Sequence, residues 1–353
     1  MQCSYQQWAS ILHPPTLKAS TFRTKISVAP TQTHIERDSD YAHVDNSDNL
    51  GSEDSIFSST SNVKSKLITS TSNPLVKHCL KLHSSSSYRR SHGSALVVGA
   101  TSMREIYRFQ ESLQNENARM DCLILPDKTE IPQGLVKSPA SIMRVSSSVM
   151  KRLSGLQSNN NVDAIALMKI PTRFFILDDN QKKEGCRKWF AASHRILVLE
   201  GIQDPGNLGT LLRSAVAFRW DGVFLLPGCC NPLNTKALRA SRGATFQLPI
   251  VSGSWIHLES LIDEFQMKLL AGHPEQNCAS KPVSVLSSSF CDSVSDTPLC
   301  LVLGNEGGGL SDKSMQACEL FSIPMAGEFE SLNVSVAGGI FLYMLQPITR
   351  PSS

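Results

Sequence analysis

Short apolar runs alternate with amphipathic stretches from about residue 64 to the end of the 353-residue chain. Asn73-Pro74 supplies an N-cap and a proline suited to the first helical position, and Leu75, Cys79, Leu80 and Leu82 give the next turns an apolar side. The pattern then predicts a strand at Ala95–Ala100, a helix at Met103–Leu113, and strands at Cys122–Leu125 and Ile142–Val145. A helix at Ser147–Leu156 and a strand at Ala164–Met168 follow. Strands alternating with helices predict a small α/β/α domain over 64–170. Phe174–Ala192 is polar and charged, so 171–192 reads as an interdomain linker.

The second half, 193–353, repeats strand and helix more regularly. Arg195–Glu200 is a strand, and Asp204-Pro205 caps a helix whose Leu208, Leu211, Leu212, Ala215 and Val216 fall on one face. Strands are expected at Gly222–Leu226, Thr245–Pro249, Met267–Ala271, Leu299–Leu303 and Phe321–Pro324. Helices are expected at Thr235–Ser241, Trp255–Phe265, Asp312–Cys318 and Val334–Leu345, with Pro274–Thr297 mostly loop. The last helix is apolar nearly all round, the mark of burial. Such alternation predicts a parallel sheet covered by helices, with ligands held in loops at the carboxyl ends of its strands.

Composition sets the first residues apart. Residues 1–35 contain Lys18, Arg23 and Lys25, nine Ser/Thr and no Asp or Glu. That is transit-peptide composition, chloroplast first and mitochondrion as the alternative, against the plainer reading of a disordered tail. Residues 36–63 are acidic and Ser-rich, a spacer. The net charge of +3 therefore hides a body of +6 beyond residue 63, which suits RNA. No apolar run reaches the roughly 20 residues that span a bilayer. No C-x-x-C pair marks a zinc or disulfide framework, and Cys229-Cys230 read as packed thiols. The dehydrogenase G-x-G-x-x-G, the phosphate-binding G-x-x-x-x-G-K-[ST] and the hydrolase G-x-S-x-G are all missing.

Candidate chemistry gathers in three segments that each follow a strand or open a helix: LEGIQDPGNLGTLLRSAVA at Leu199–Ala217, LVLGNEGGGL at Leu301–Leu310, and IPMAGEFESLNVSVAGGIFLYML at Ile323–Leu345. In this order they resemble the three motifs of the SpoU (TrmH-like) class of SPOUT RNA methyltransferases. The resemblance implies an S-adenosylmethionine-dependent RNA 2′-O-ribose methyltransferase, acting on organellar rRNA. A tRNA substrate, or an inactive RNA-binding or ribosome-assembly factor, are the alternatives. It implies a C-terminal parallel-sheet domain with a trefoil knot, and a homodimer paired through the last helix. SNPLVK at Ser72–Lys77, Arg89-Arg90 and VVG at Val97–Gly99 resemble the L30e-like RNA-binding domain that precedes it in many members.

Carried over position by position, the resemblance makes Arg213, Asn207, Glu306, Ser331 and Asn333 the catalytic set. It gives Gly304, Ile323 and Leu332 to the cofactor, and no residue to a metal. Arg213 either takes the hydroxyl proton or positions the hydroxyl. A free guanidinium is a very poor base, so stabilising the forming alkoxide is the easier role. Ser331 and Asn333 also suit helix capping. Lys77, Arg89, Arg90, Lys236, Arg239 and Arg242 are candidates for RNA phosphate, with a solvated basic surface as the plainer reading.

Overall fold

Two sheets form because the alternating pattern changes character midway along the chain. The structure is a computed structural model that describes residues 67–113, 120–135, 141–156, 162–178, 185–191, 193–274, 281–328 and 330–347. The expected transit peptide and acidic spacer lie outside the described residues. Asn62–Ser353 clusters as one unit that holds both sheets.

The first sheet is small and mixed. Helix α1 (Pro74–Ser84) starts where expected, with Asn73 Oδ1 accepting from the Leu75 N–H at 3.0 Å. It buries Cys79 and Leu82 of the expected apolar side together with Val76, and leaves Leu75 and Leu80 half-buried against the same cluster. Ser85 then caps α2 (Ser86–His92), and Gly93 at φ 57° ends it. Strand β1 (Ser94–Val98), α3 (Ala100–Leu113), β2 (Met120–Pro126), β3 (Ile142–Val145), α4 (Ser147–Ser154) and β4 (Ile165–Lys169) complete this part. The sheet order is β1-β4-β2-β3, antiparallel except for the β2–β3 pair.

The second sheet has eight strands. They are β5 (Phe174–Ile176), β6 (Arg195–Leu199), β7 (Gly222–Leu225), β8 (Ile250–Ser252), β9 (Lys268–Gly272), β10 (Val283–Val285), β11 (Leu299–Leu303) and β12 (Glu319–Ser322). Their helices are α5 (Pro205–Ala217), α6 (Thr235–Ser241), α7 (Trp255–Phe265), α8 (Ser288–Ser293), α9 (Asp312–Ala317) and α10 (Val334–Met344). The order is β10-β12-β9-β11-β6-β7-β8-β5, and every pair is parallel. Central strands β6 and β11 are buried along their whole length, as parallel strands covered on both faces should be.

Three stretches differ from the sequence reading. The expected linker contributes β5, which pairs with β8, and a 3-10 turn at Cys186–Lys188 that leads into buried Trp189 and Phe190. The expected strand at Thr245–Pro249 is instead a 3-10 turn at Ala244–Phe246, with the strand beginning at Ile250. The Ser-rich stretch read as loop carries β10 and α8, the latter capped by Ser287.

The two parts share a core. Leu233, Leu238 and Phe246 from the α6 region pack with Val97, Met103 and Ile106 of the first part. Gly243 fits this seam because a Cβ there would lie 2.8 Å from the Ser102 carbonyl oxygen, and its φ of 93° excludes most side chains.

Candidate active site

The carboxyl ends of β6 and β11 lie side by side, since Leu303 pairs with Leu199. That register brings the first two motifs together. Asp204 caps α5, its Oδ1 accepting from the Asn207 N–H at 2.8 Å, and Pro205 takes the first helical position. Asn207 therefore projects from the first turn of α5. Its Nδ2 donates to Glu306 Oε1 at 3.1 Å, and its Oδ1 accepts from Asn333 Nδ2 at 3.2 Å. One hydrogen-bonded chain, Asn333–Asn207–Glu306, thus joins all three segments.

Glu306 is fixed further by backbone. Its carboxylate accepts from the N–H groups of Asp204 at 3.3 Å and Gln203 at 3.4 Å. Partial burial pushes this carboxyl up, but its own backbone N–H, the Asn207 amide and those two N–H groups outweigh burial and hold it below the ordinary 4.5. It is ionised at neutral pH and its lone pairs are engaged. A weak, occupied base of this kind organises a site rather than removing a proton.

Asn333 caps α10, accepting from the Ser335 N–H at 2.9 Å and the Ser335 hydroxyl at 2.7 Å. Capping and site-building are the same act here. Ser331 is exposed two residues upstream and bonds to no other described residue. Arg213 is exposed on α5, likewise without a hydrogen bond or ion pair to a described residue. The structure thus gathers Asn207, Glu306 and Asn333 and leaves Arg213 and Ser331 unattached.

The second motif is a turn closed on itself. Asn305 and Gly309 exchange backbone hydrogen bonds of 2.8 and 3.0 Å, and Asn305 Oδ1 accepts from the N–H groups of Gly307 and Gly308, each at 2.8 Å. Gly304 lies under this turn, where a Cβ would collide with the Gly309 carbonyl and come within 2.7 Å of the Leu310 nitrogen. Only glycine lets the backbone close so tightly. Ile323, half-buried, and Leu332, 38% exposed, provide apolar surface on the third segment.

Two residues of this frame escape a reading of isolated motifs. Asn305 Nδ2 donates to the Gly201 carbonyl at 2.6 Å, pinning the Gly-rich turn to the first motif. Glu200 accepts from the Ser311 hydroxyl at 2.7 Å, the Ser311 N–H at 3.1 Å, the Ser314 hydroxyl at 2.6 Å and Trp255 Nε1 at 3.5 Å. Burial raises its carboxyl, and these donors more than reverse the effect. The available signal was position: Glu200 directly follows β6, and Asn305 lies two residues past the end of β11. Cys229 donates its thiol to the Leu199 carbonyl, and burial pushes it up to about 11, so it is packed and protonated.

Of the six basic residues considered for RNA, Arg89 is a correction. It is 4% exposed, and its guanidinium donates to the carbonyls of Leu82 at 2.7 Å and His83 at 3.3 Å. It ties α2 to the end of α1 and presents no charge to solvent. Lys77, Arg90, Lys236 and Arg242 are exposed and Arg239 is half-buried. No group of three or more His, Cys, Asp or Glu suited to a metal occurs among the described residues, and none of their helices is long and apolar enough to cross a membrane.

Comparison with known proteins agrees with this geometry. Residues 194–343 match the model of the SpoU rRNA Methylase family. The chain is 28% identical over 284 residues to the Bacillus subtilis 23S rRNA (guanosine(2553)-2′-O)-methyltransferase RlmP, covering 80% of this chain and 99% of that one. It is 30% identical over 277 residues to an uncharacterised tRNA/rRNA methyltransferase of Synechocystis, covering 78% and 92%. Its fold is that of the crystal structure of an RNA 2′-O ribose methyltransferase (TM-score 0.60, 24% identity, 79% and 97% covered). It is also that of an AdoMet-bound rRNA methyltransferase from Sinorhizobium meliloti (TM-score 0.59, 21% identity, 79% and 97% covered). With its motif-bearing sheet matched and nearly the full length of both bacterial relatives spanned, this chain belongs to the SpoU rRNA methylase family.

Proposed function

We propose that the protein is an S-adenosylmethionine-dependent RNA 2′-O-ribose methyltransferase acting on rRNA. The observation that carries this reading is the Asn333–Asn207–Glu306 chain, which joins three separate segments at the carboxyl edge of a parallel sheet. The rRNA target is supported by the Bacillus subtilis relative, whose name specifies 23S rRNA.

The residues fit the cofactor. The Gly304 turn brings backbone close together where no side chain fits, and Ile323 and Leu332 offer the apolar wall an adenine needs. When bound, S-adenosylmethionine supplies a methyl group on a sulfonium that needs no further activation. Transfer would form the ribose O2′–methyl bond, break the sulfonium carbon–sulfur bond to leave a neutral thioether, and pass the hydroxyl proton to water. Arg213 is the group that steadies the developing alkoxide, its charge being free of any described partner. Asn207, Glu306 and Asn333 are positioning residues that fix the first turn of α5 against both cofactor segments. Ser331 stands at the entry to α10, beside the same wall.

Further features extend the reading. A trefoil knot is supported by strand order: β12 lies beyond β9 and β11, yet α10, which follows it, packs back on α5 with Gly338 against Leu211. An L30e-like RNA-binding role for 64–170 is supported by the mixed four-stranded sheet and by exposed Lys77 and Arg90. A homodimer through α10 is supported by Val336 and Tyr343, which are 52% and 56% exposed on a helix whose sequence predicts burial all round. Chloroplast targeting, with mitochondrion as the alternative, rests on the composition of residues 1–35.

The test is a pair of measurements. Calorimetry should show S-adenosylmethionine binding to the wild type and to Arg213→Ala alike. Methyl transfer to rRNA should fall by about 10²-fold or more in the variant, the scale of losing one charge-stabilising donor. Full activity in Arg213→Ala would sink the mechanism.

A further inference from the structure

Three polar side chains meet at the amino edge of the second sheet, each with hydrogen-bonding capacity that the fold leaves unused. Arg173 precedes β5, Gln247 precedes β8 and Asp221 precedes β7. Register brings them together, because Phe174 pairs with Ile250 and Ile250 with Val223. They line one cleft of about 330 Å³. Its other walls are largely apolar: Phe190, Val216, Trp220 and Leu248 from the second part and Phe109 of α3 from the first. The motifs lie past the carboxyl ends of β6 and β11, so this cleft is at the opposite edge of the sheet from them.

Structural roles account for only part of each polar group. Asp221 Oδ2 accepts from the His194 and Arg195 N–H groups at 2.7 and 2.8 Å and so fixes the start of β6. Its Oδ1 accepts from no described residue. The Arg173 guanidinium lies over the Phe109 ring, 5.6 Å from its centroid. That contact engages the face of the guanidinium and none of its N–H groups. Through them Arg173 forms no hydrogen bond or ion pair with any described residue. The half-buried Gln247 has a side-chain amide that bonds to no described residue either. Trp220 is different: its Nε1 donates to the Leu342 carbonyl at 3.1 Å, so what it shows the cleft is ring carbon. A single unpaired Arg or Gln is ordinary surface. A cation, an amide and a carboxylate oxygen converging on an apolar hollow have the composition of a small-molecule site.

We infer that this cleft binds a nucleoside monophosphate. The occupant needs an anionic group for Arg173, whose planar fork of donors matches phosphate. It needs an N–H for Asp221 Oδ1, since a carboxylate only accepts. It also needs a flat, largely apolar body for the walls. A nucleobase carrying one phosphate combines all three, and guanine adds a ring carbonyl that suits the Gln247 amide. A volume of about 330 Å³ is near the small end of the range for ligand sites, which suits one nucleotide and not a dinucleotide. None of the three polar groups belongs to the motif set, so the site does not depend on the proposed methyl transfer.

The test is calorimetric titration of the full chain with GMP, in excess S-adenosylmethionine so that the proposed cofactor pocket is taken. One site should appear. Arg173→Ala should weaken it by about 10- to 100-fold and Gln247→Ala by about 2- to 10-fold. Both variants should melt close to the wild type, since neither substitution removes a hydrogen bond of the fold. Arg213→Ala, at the other edge of the sheet, should bind GMP as the wild type does, whatever happens to methyl transfer. The absence of GMP binding, or binding that neither cleft substitution changes, overturns the inference. So does inorganic phosphate that binds as tightly as GMP. A short single-stranded RNA separates the two sources of this chemistry: displacement of GMP identifies a nucleotide within RNA as the occupant, and RNA binding without displacement identifies a free nucleotide.

Discussion

Each half of this protein buries an arginine, and the two are used differently. Arg195 opens β6 at 1% exposure, and its guanidinium donates to the carbonyls of Leu345, Thr297, Ser295, Val294 and His194. It locks the C-cap of α10 and the loop before β11 onto the central strand. Arg89 in the first half reaches only the carbonyls of Leu82 and His83, and its Nε has no partner. Arg195 thus joins segments about 100 to 150 residues apart, while Arg89 ties two helices that follow one another in the chain. The proposed roles would call for such a difference: a cofactor cavity needs rigid walls, whereas binding a long, flexible anion needs accessible charge.

The largest expected effect tests that contrast directly. Arg195→Met strands several buried carbonyls at once and should lower unfolding stability by about 3 kcal/mol or more, read by urea denaturation. Arg89→Met strands two, one of them only partly buried, and should lose about 1–2 kcal/mol. Equal losses would mean that the two halves are not built on different principles.

A smaller effect separates positioning from binding. Glu306→Ala removes the centre of the three-segment chain and should cut methyl transfer by about 10- to 100-fold, with RNA affinity unchanged. Lys77→Ala should do the reverse, weakening RNA binding with little change in turnover. Asn207→Ala and Asn333→Ala should be non-additive by about 0.5 kcal/mol or more, because they share one hydrogen bond. Strict additivity would show that the bond does not matter to the site.

These contrasts were unevenly visible in the sequence. The parallel sheet was legible because β7 and β11 are continuous apolar runs, β6 and β9 become apolar after a first basic residue, and helices separate them. Asn207, Glu306 and Asn333 were reached through the resemblance of their three segments to the SpoU motifs; position alone left Asn333 equally readable as a helix cap. The three-residue strands β5 and β10 were not legible, since so short a segment forms only by pairing with a neighbour already in place. Arg89 was misread for a related reason. Burial is a tertiary property, and the pair Arg89-Arg90 points one guanidinium inward and the other outward. Glu200 and Asn305 were passed over because their partners lie 111 and 104 residues away.

The smallest effect is the pH dependence of stability, and it should divide between the halves. His83 in the first half is held below its ordinary 6.5, by burial first and then by Arg89, Arg239 and Lys236. The unfolded chain therefore takes a proton there more readily than the folded one. Stability from this group is present above 6.5, and it is lost as pH falls through that value toward the lower folded pKa. Glu200 and Glu306 in the second half are held below 4.5 because their N–H and O–H donors bond the ionised form more strongly than burial opposes it. Their contribution is intact above 4.5 and disappears only as pH falls below it through the folded values. Melting temperature against pH should therefore show two separate declines. His83→Gln should erase the upper one alone, and Glu200→Gln should shrink the lower one alone. A single decline affected by both substitutions would mean that the two halves titrate as one body, and the division of labour between rigid walls and open charge would have to be abandoned.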